Sequence, residues 1–427
     1  MKRGELLRQL EQGSLREQLL PVYGSDIDAA LHRLQELVAE YATIFPCDPE
    51  TETLLFSTPA RTELGGNHTD HQRGCALAAS VDLDTIACVV PNDSGIIRVK
   101  SRHHQMAVVD LQDLAVHPHE VDNSTSLVRG IAAKLTELGY SIGGFDAYTT
   151  TRILRGSGLS SSAAFEVLVG TIMNHLFCDG ALSPLRIAQI GQFAENVYYG
   201  KPCGLLDQIA CAFGGVVAID FADPTTPAIR QVQLDLAQAG YALCIIDSHA
   251  SHSDLTSDYT AIPLEMGQVA ACFGEKVLRN VPYDQFRRHL PQVQKRCGDR
   301  AVLRAMHFYQ ENTRAMEQCA ALEQGDFHTF LQLSTRSGHS SWMYLQNVSN
   351  YRDCRNQSVA LLLALAEELL AGRGACRIHG GGFAGTLQAF VPVDMLDMFI
   401  AGMEEVAGPD SCRVLTIRAV GSTLLVR

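Results

Sequence analysis

The sequence predicts an α+β protein built as two domains. Its 427 residues exceed what a single hydrophobic core usually serves. Strand and helix patterns are mixed through both halves. An Asp-Pro-Thr-Thr-Pro cluster at Asp223–Pro227 breaks the pattern near the middle. These observations divide the chain into an N-terminal helical segment over 1–50, a first domain over 51–222 and a second over 223–427.

Each element has its own signal. Ile27, Leu31, Leu34, Leu37, Val38 and Tyr41 recur at helical spacing over 25–45. A short strand is expected over 54–57, followed by a loop holding Pro59, Gly65 and Gly66. Segments 75–90, 95–100 and 144–153 read as strands. An amphipathic helix over 125–139 ends at Gly139, and helices follow over 160–177 and 184–198. Strands are expected over 214–220 and 241–247, and long helices over 258–275, 299–322 and 356–371. The remainder reads as a strand, a glycine loop, a strand, a helix over 393–406 and one strand over 412–426.

Composition narrows the function. Hydrophobic residues make up 46% of the chain and charged residues 19%, as in ordinary globular proteins. The net charge of −13 argues against a nucleic-acid-binding face. No apolar run approaches the roughly 20 residues of a membrane span. The first twenty residues are interrupted by Arg3, Glu5, Arg8, Glu11, Arg16 and Glu17, so no leader is read there. The 13 cysteines are odd in number and lack CxxC spacing, which suits buried thiols in a reducing compartment. A cytoplasmic protein without membrane or nucleic-acid partners is expected, as a monomer or weak homo-oligomer.

Four polar, glycine-bearing stretches could carry chemistry. The first is Leu154-Arg155-Gly156-Ser157-Gly158-Leu159-Ser160-Ser161-Ser162, where a strand runs through glycines into a helix. Glycines allow close backbone approach, and the first helical turn offers free N–H groups suited to phosphate. An ordinary serine cap needs one serine, not three. No Walker A loop and no GxSxG elbow occurs in the chain. The second is Gly380-Gly381-Gly382-Phe383-Ala384-Gly385, either a plain glycine hairpin or a loop lying against a ligand. Its GxGxxG spacing leads into a strand, which is the wrong context for a dinucleotide site. The third is Pro59–His71, where Arg61, Asn67, His68 and Asp70 crowd together as polyol recognition requires. The fourth is Gly200–Gln208, which places Asp207 in an apolar segment, as a structural or a functional carboxylate.

Taken in order, these stretches resemble the motifs of the GHMP kinases, and galactokinases most closely. The family pattern PGRxNLIGEHTDY corresponds to PARTELGGNHTDH at 59–71. GxGLSSSA corresponds to Gly156–Ala163, CGxMDQ to Cys203–Gln208, and GGGFGG to Gly380–Gly385. The resemblance runs from about residue 54 onward. It implies a two-domain GHMP kinase fold, with a first half like domain 2 of ribosomal protein S5 and a ferredoxin-like second half. It also implies an ATP-dependent, Mg²⁺-requiring sugar kinase acting at the anomeric hydroxyl.

The resemblance further implies roles for particular residues. Asp207 would be the catalytic carboxylate and Arg61 its cationic partner. Gly156, Ser157, Gly158, Leu159, Ser160, Ser161 and Ser162 would hold ATP, with Ser161 and Glu195 at the metal. Asn67, His68, Asp70, Gly204 and Tyr259 would meet the sugar. Gly380, Gly381 and Gly382 would form a loop over the site. The chain departs from the pattern at Thr62-Glu63, where Val-Asn is usual, and at Gly65, Asn67 and His71, where Ile, Glu and Tyr are usual. A neutral Asn67 at the C6 end of the sugar would suit a C6-modified hexose such as galacturonate as well as galactose. A non-catalytic regulator that binds ATP and sugar is the alternative from another class.

Overall fold

The computed structural model describes residues 1–153, 158–250, 255–349 and 351–427. Two sheets organise it. The first has eight strands and is built around the long β2 (Cys75–Asn92). One side of β2 carries β1 (Leu54–Gly65), antiparallel along nearly its whole length. The other side is shared between β5 (Gly144–Thr151), which pairs with Thr85–Asn92, and β6 (Val216–Asp220), which pairs with Cys75–Ala79. β3 (Ile96–Ser101) runs parallel to β5, and β4 (Met106–Asp110) and β7 (Ala228–Val232) pair antiparallel with β3 and β6. β12 (Thr423–Val426) returns from the second half to lie beside β1.

Both faces of this sheet are covered at its centre, so β1 and β2 bury almost every residue, while the edge strand β4 alternates buried and exposed. On one face the helices Arg3–Glu11, Arg16–Tyr23 and Ile27–Ile44 bring Leu34, Val38 and Tyr41 onto Leu55, Ile86 and Cys88. On the other face the helices Ser124–Glu137 and Ser161–Phe177 pack against Phe56, Ala87 and Val89. The opposite placement of Leu55 and Phe56 follows from the two-residue period of a strand.

The second sheet is antiparallel in the order β11 (Cys412–Leu415), β8 (Tyr241–Asp247), β10 (Thr386–Pro392), β9 (Ala375–Ile378). Helices Ser358–Leu370 and Leu396–Ala407 cover one face. From its other face Leu243 and Phe390 join Phe330, Ala60, Leu77 and Ile209 in one continuous core. A further helical layer, Thr256–Ala271 and Asp299–Glu323, packs against Phe383 of the glycine loop.

Several expectations change. β1 is twelve residues long, so Arg61 lies on a strand and not in a loop. Pro59 is tolerated because the β1–β2 register shifts between Pro59 and Ala60, where its missing N–H disturbs no regular ladder. The expected break at 222/223 falls between β6 and β7, which are hydrogen-bonded neighbours, and the second sheet begins only at Tyr241. The single strand expected over 412–426 is two strands in different sheets. The helix expected over 184–198 is α-helical through Phe193 and then widens into a π-helical turn, Ala194–Tyr199. Among the described residues, no helix is long and apolar enough to cross a membrane. All 13 cysteines are free thiols, with Cys88, Cys211 and Cys244 buried as expected.

Candidate active site

The site lies where β1, the helix Ser161–Phe177, the helix Leu206–Phe213 and the glycine loop converge. Arg61 projects from β1 and grips Asp207 with two parallel bonds, Nε to Oδ1 and Nη2 to Oδ2, each 2.7 Å. Planar guanidinium and carboxylate groups match in this bidentate form. The Arg61 side chain is only 5% exposed, while that of Asp207 keeps 34% of its surface open. The carboxylate is therefore the member of the pair that a ligand can reach. The third guanidinium nitrogen, Nη1, donates to the carbonyl of Gly158.

Ser160 occupies the N-cap position of Ser161–Phe177 in a left-handed conformation, φ +56°. Its hydroxyl does not cap the helix; it donates to Asp207 Oδ2. Among the described residues, no side chain caps the first-turn N–H groups of this helix. Ser162 donates to Glu195 Oε1 at 3.2 Å, and Gln208 Nε2 bridges Glu195 Oε2 and Glu166 Oε2, both at 3.0 Å. The serine facing Glu195 is thus Ser162 and not Ser161, whose position is exposed. Successive helical residues point about 100° apart, so only one of the two can face Glu195. Gly156 and Ser157 lie outside the described residues.

Burial alone would raise the Asp207 carboxyl, but the Arg61 charge and the bonds from Arg61 and Ser160 outweigh it and hold the group below the ordinary aspartate range. Glu166 behaves oppositely. Burial, then the neighbouring Glu195 charge, pushes it well above the carboxylate range.

The sugar-facing candidates lie beside Gly204 and along the glycine loop. Asp70 follows the strand end and abuts Gly204, where an added Cβ would fall 1.7 Å from Asp70 Oδ2. His68 Nε2 donates to the Gly381 carbonyl at 3.0 Å, and Tyr259 Oη donates to the Gly382 carbonyl at 2.7 Å. Burial, helped by the adjacent His71, lowers His68 to about 3 and keeps its imidazole neutral.

Asn67 differs from expectation. It has no exposed surface. Its Nδ2 donates to both oxygens of Glu63, at 3.0 and 3.2 Å, and to the Gly380 carbonyl at 2.7 Å. Its Oδ1 accepts from Ser341 and Asn347. The amide is fully engaged inside the protein and does not reach a ligand. Glu63, the unusual residue four places earlier, is paired with buried Arg377 at 2.6 Å. Burial raises Glu63 to about 6 against the opposing pull of Arg377 and Arg61.

Asn347 is a site residue that the sequence did not single out. It is wholly buried, its Nδ2 also donates to the Gly381 carbonyl, and its own carbonyl accepts from Phe383 N–H. Side chains of Asn67, His68, Asn347 and Tyr259 together hold the carbonyls of Gly380, Gly381 and Gly382. The loop is therefore anchored from behind. Gly382 must be glycine, since φ is +80° and a Cβ would lie 2.3 Å from the Asn347 carbonyl.

These ionisations predict a pH profile. Acidification through about pH 6 should protonate Glu63, loosening its bonds to Arg377 and Asn67 beneath the loop. An acid limb of kcat/KM near that pH should survive in His68→Asn, because the imidazole is already neutral there. Loss of the limb in that variant would show that His68 is its source.

Residues 126–215 match the model for the N-terminal domain of GHMP kinases. The fold is shared with Methanococcus jannaschii mevalonate kinase, at a TM-score of 0.60 over 86% of this chain and 98% of that one, with 13% identity. Fold and site together define a small-molecule kinase of the GHMP class. Residues 39–91 match the galactokinase galactose-binding signature. The chain is 30% identical over 370 residues to galactokinase of Streptomyces coelicolor, covering 86% of this chain and 90% of that one. It is also similar to Lactococcus lactis galactokinase, solved in complex with galactose, at 25% identity and a TM-score of 0.78 over 92% of this chain and 99% of that one. The chain belongs to the galactokinase family, whose members are sugar phosphotransferases.

Proposed function

We propose that this protein transfers the γ-phosphoryl group of ATP to the C1 hydroxyl of galactose. The observation that carries the reading is the Arg61–Asp207 pair, open on the carboxylate side and set beside the first turn of Ser161–Phe177, which no side chain caps among the described residues. ATP phosphates would lie on that turn, with Gly158, Leu159 and Ser160–Ser162 around them. Ser162 and Glu195 offer the sparse oxygen set that Mg²⁺ takes when phosphate oxygens complete its shell, and Ser161 sits beside them at the helix start. When bound, the metal would offset phosphate charge.

Asp207 Oδ2 accepts from both Arg61 and Ser160, whereas Oδ1 accepts only from Arg61 among the described residues. Oδ1 therefore keeps a lone pair for the sugar hydroxyl. With its pKa depressed, Asp207 is a weak base. Its role is to orient the hydroxyl and take the proton late, as the O–P bond forms. Arg61 keeps the carboxylate charged and adds positive charge beside the transferring group. His68, Asp70, Gly204 and Tyr259 shape the sugar side.

The C6-modified alternative depended on Asn67 facing the sugar, and Asn67 faces inward. The intact Arg61–Asp207 pair disfavours a non-catalytic regulator. Sugar-dependent ADP release, measured over galactose, galacturonate, 6-deoxygalactose and glucose, tests the reading. Galactose is expected to give the highest kcat/KM. Equal or faster turnover of galacturonate would move the assignment.

A further inference from the structure

Lys201 is the one lysine in the Gly200–Gln208 stretch, and neither the motifs nor the mechanism above uses it. Its placement is specific. The π-helical turn Ala194–Tyr199 ends at Gly200 in a left-handed conformation, φ +85°. That turn brings the N–H groups of both Gly200 and Lys201 onto the Glu195 carbonyl, at 3.0 and 3.2 Å. The Lys201 side chain then folds back so that Nζ lies 3.4 Å from Glu195 Oε1. Backbone and side chain of one residue thus engage backbone and side chain of another.

The oxygen that Lys201 meets also accepts from Ser162 in the first turn of Ser161–Phe177. The ammonium is therefore one carboxylate oxygen away from the turn proposed to hold phosphate. The surroundings require a cation there. The carboxyl groups of Glu195 and Asp207 both border this space, and Arg61 is committed to Asp207 and Gly158. A polyphosphate approaching without Lys201 would meet carboxylates first. The side chain is also free to move, since 61% of it is exposed while Glu195 is 3% exposed.

We propose that Lys201 is a phosphate-contacting cation of the nucleotide site, resting on Glu195 and moving to the ATP phosphates when they arrive. This rests on the kinase reading. It also implies that part of the nucleotide affinity comes from the chain's own charge, independent of metal. A flexible ammonium serves this better than a guanidinium already committed to a bidentate pair.

Calorimetric titration with ATP in excess chelator, without sugar, tests it on the full chain. Lys201→Met keeps the aliphatic stem and removes the charge. It should weaken metal-free ATP binding at least tenfold, while Lys201→Arg stays within about threefold of wild type. Galactose binding and the thermal midpoint should be unchanged in both, because the residue is exposed and lies on the phosphate side. Equal or tighter metal-free ATP binding by Lys201→Met would overturn the proposal while leaving the kinase reading intact. If wild type binds ATP neither with nor without Mg²⁺, the nucleotide reading and the proposal fall together.

Discussion

Asp207→Asn should lower galactose phosphorylation about a thousandfold, with ATP and sugar affinities changed far less. The substitution is nearly isosteric, so the fold should be preserved. What changes is the chemistry at Oδ1 and Oδ2. Arg61 loses the anion that its two bonds hold, and Ser160 loses a charged acceptor. The sugar hydroxyl loses the carboxylate proposed to take its proton. Proton acceptors of this kind contribute about 10² to 10⁴ in rate, and a thousandfold corresponds to about 4 kcal/mol of transition-state stabilisation. Coupled ADP release and direct galactose titration on the same preparation separate turnover from binding. Turnover within tenfold of wild type would remove Asp207 from the catalytic role.

A second large effect is expected for Asn67→Glu, which restores the residue usual at that position in the family. Here it should destabilise the protein by about 3 kcal/mol or more, because a second carboxylate would press against Glu63 in a site with no access to water. Arg377 can neutralise one of the two, and among the described residues it is the only one ion-paired with Glu63. The double exchange Glu63→Asn with Asn67→Glu keeps one carboxylate and one amide in the same space. It should recover at least half of the lost stability. Denaturant midpoints of the four proteins form a complete cycle. If the single variant unfolds at the wild-type midpoint, or the double variant is no better than the single, the two residues do not act as an exchanged pair.

Much of the site was legible because its signals are local. Gly158 and Ser160–Ser162 mark a turn entering a helix whatever surrounds them, and the structure starts a helix at Ser161. Asp207 was conspicuous as a charge in an apolar segment, and its bond to Arg61 joins residues 146 positions apart. Distant partners defeated the rest. Asn67 reads as a loop residue free to touch a sugar, yet its partners Ser341, Asn347 and Gly380 lie 274 to 313 residues away. Nothing near Asn67 in sequence reveals them. The proline and glycines after Ser57 suggested a loop, because a strand tolerates Pro59 only at an irregularity whose position the partner strand sets. Lys201 was passed over because an isolated lysine beside a proline looks like any surface residue until Glu195 is placed beside it.

The position of β12 bears on how the protein comes into being. On the ribosome, the sheet of the first half has all its other strands by Val232, but the edge beside β1 stays unpaired until residues 423–426 emerge. Until then β1, which carries Arg61, presents open backbone groups along part of its length. The helices at the chain start wait as well, because Leu425 and Val426 complete the hydrophobic cluster they rest on. Synthesis of nearly two hundred further residues therefore separates the making of this sheet from its closure, and an exposed strand edge over that interval is where a chaperone would be needed most.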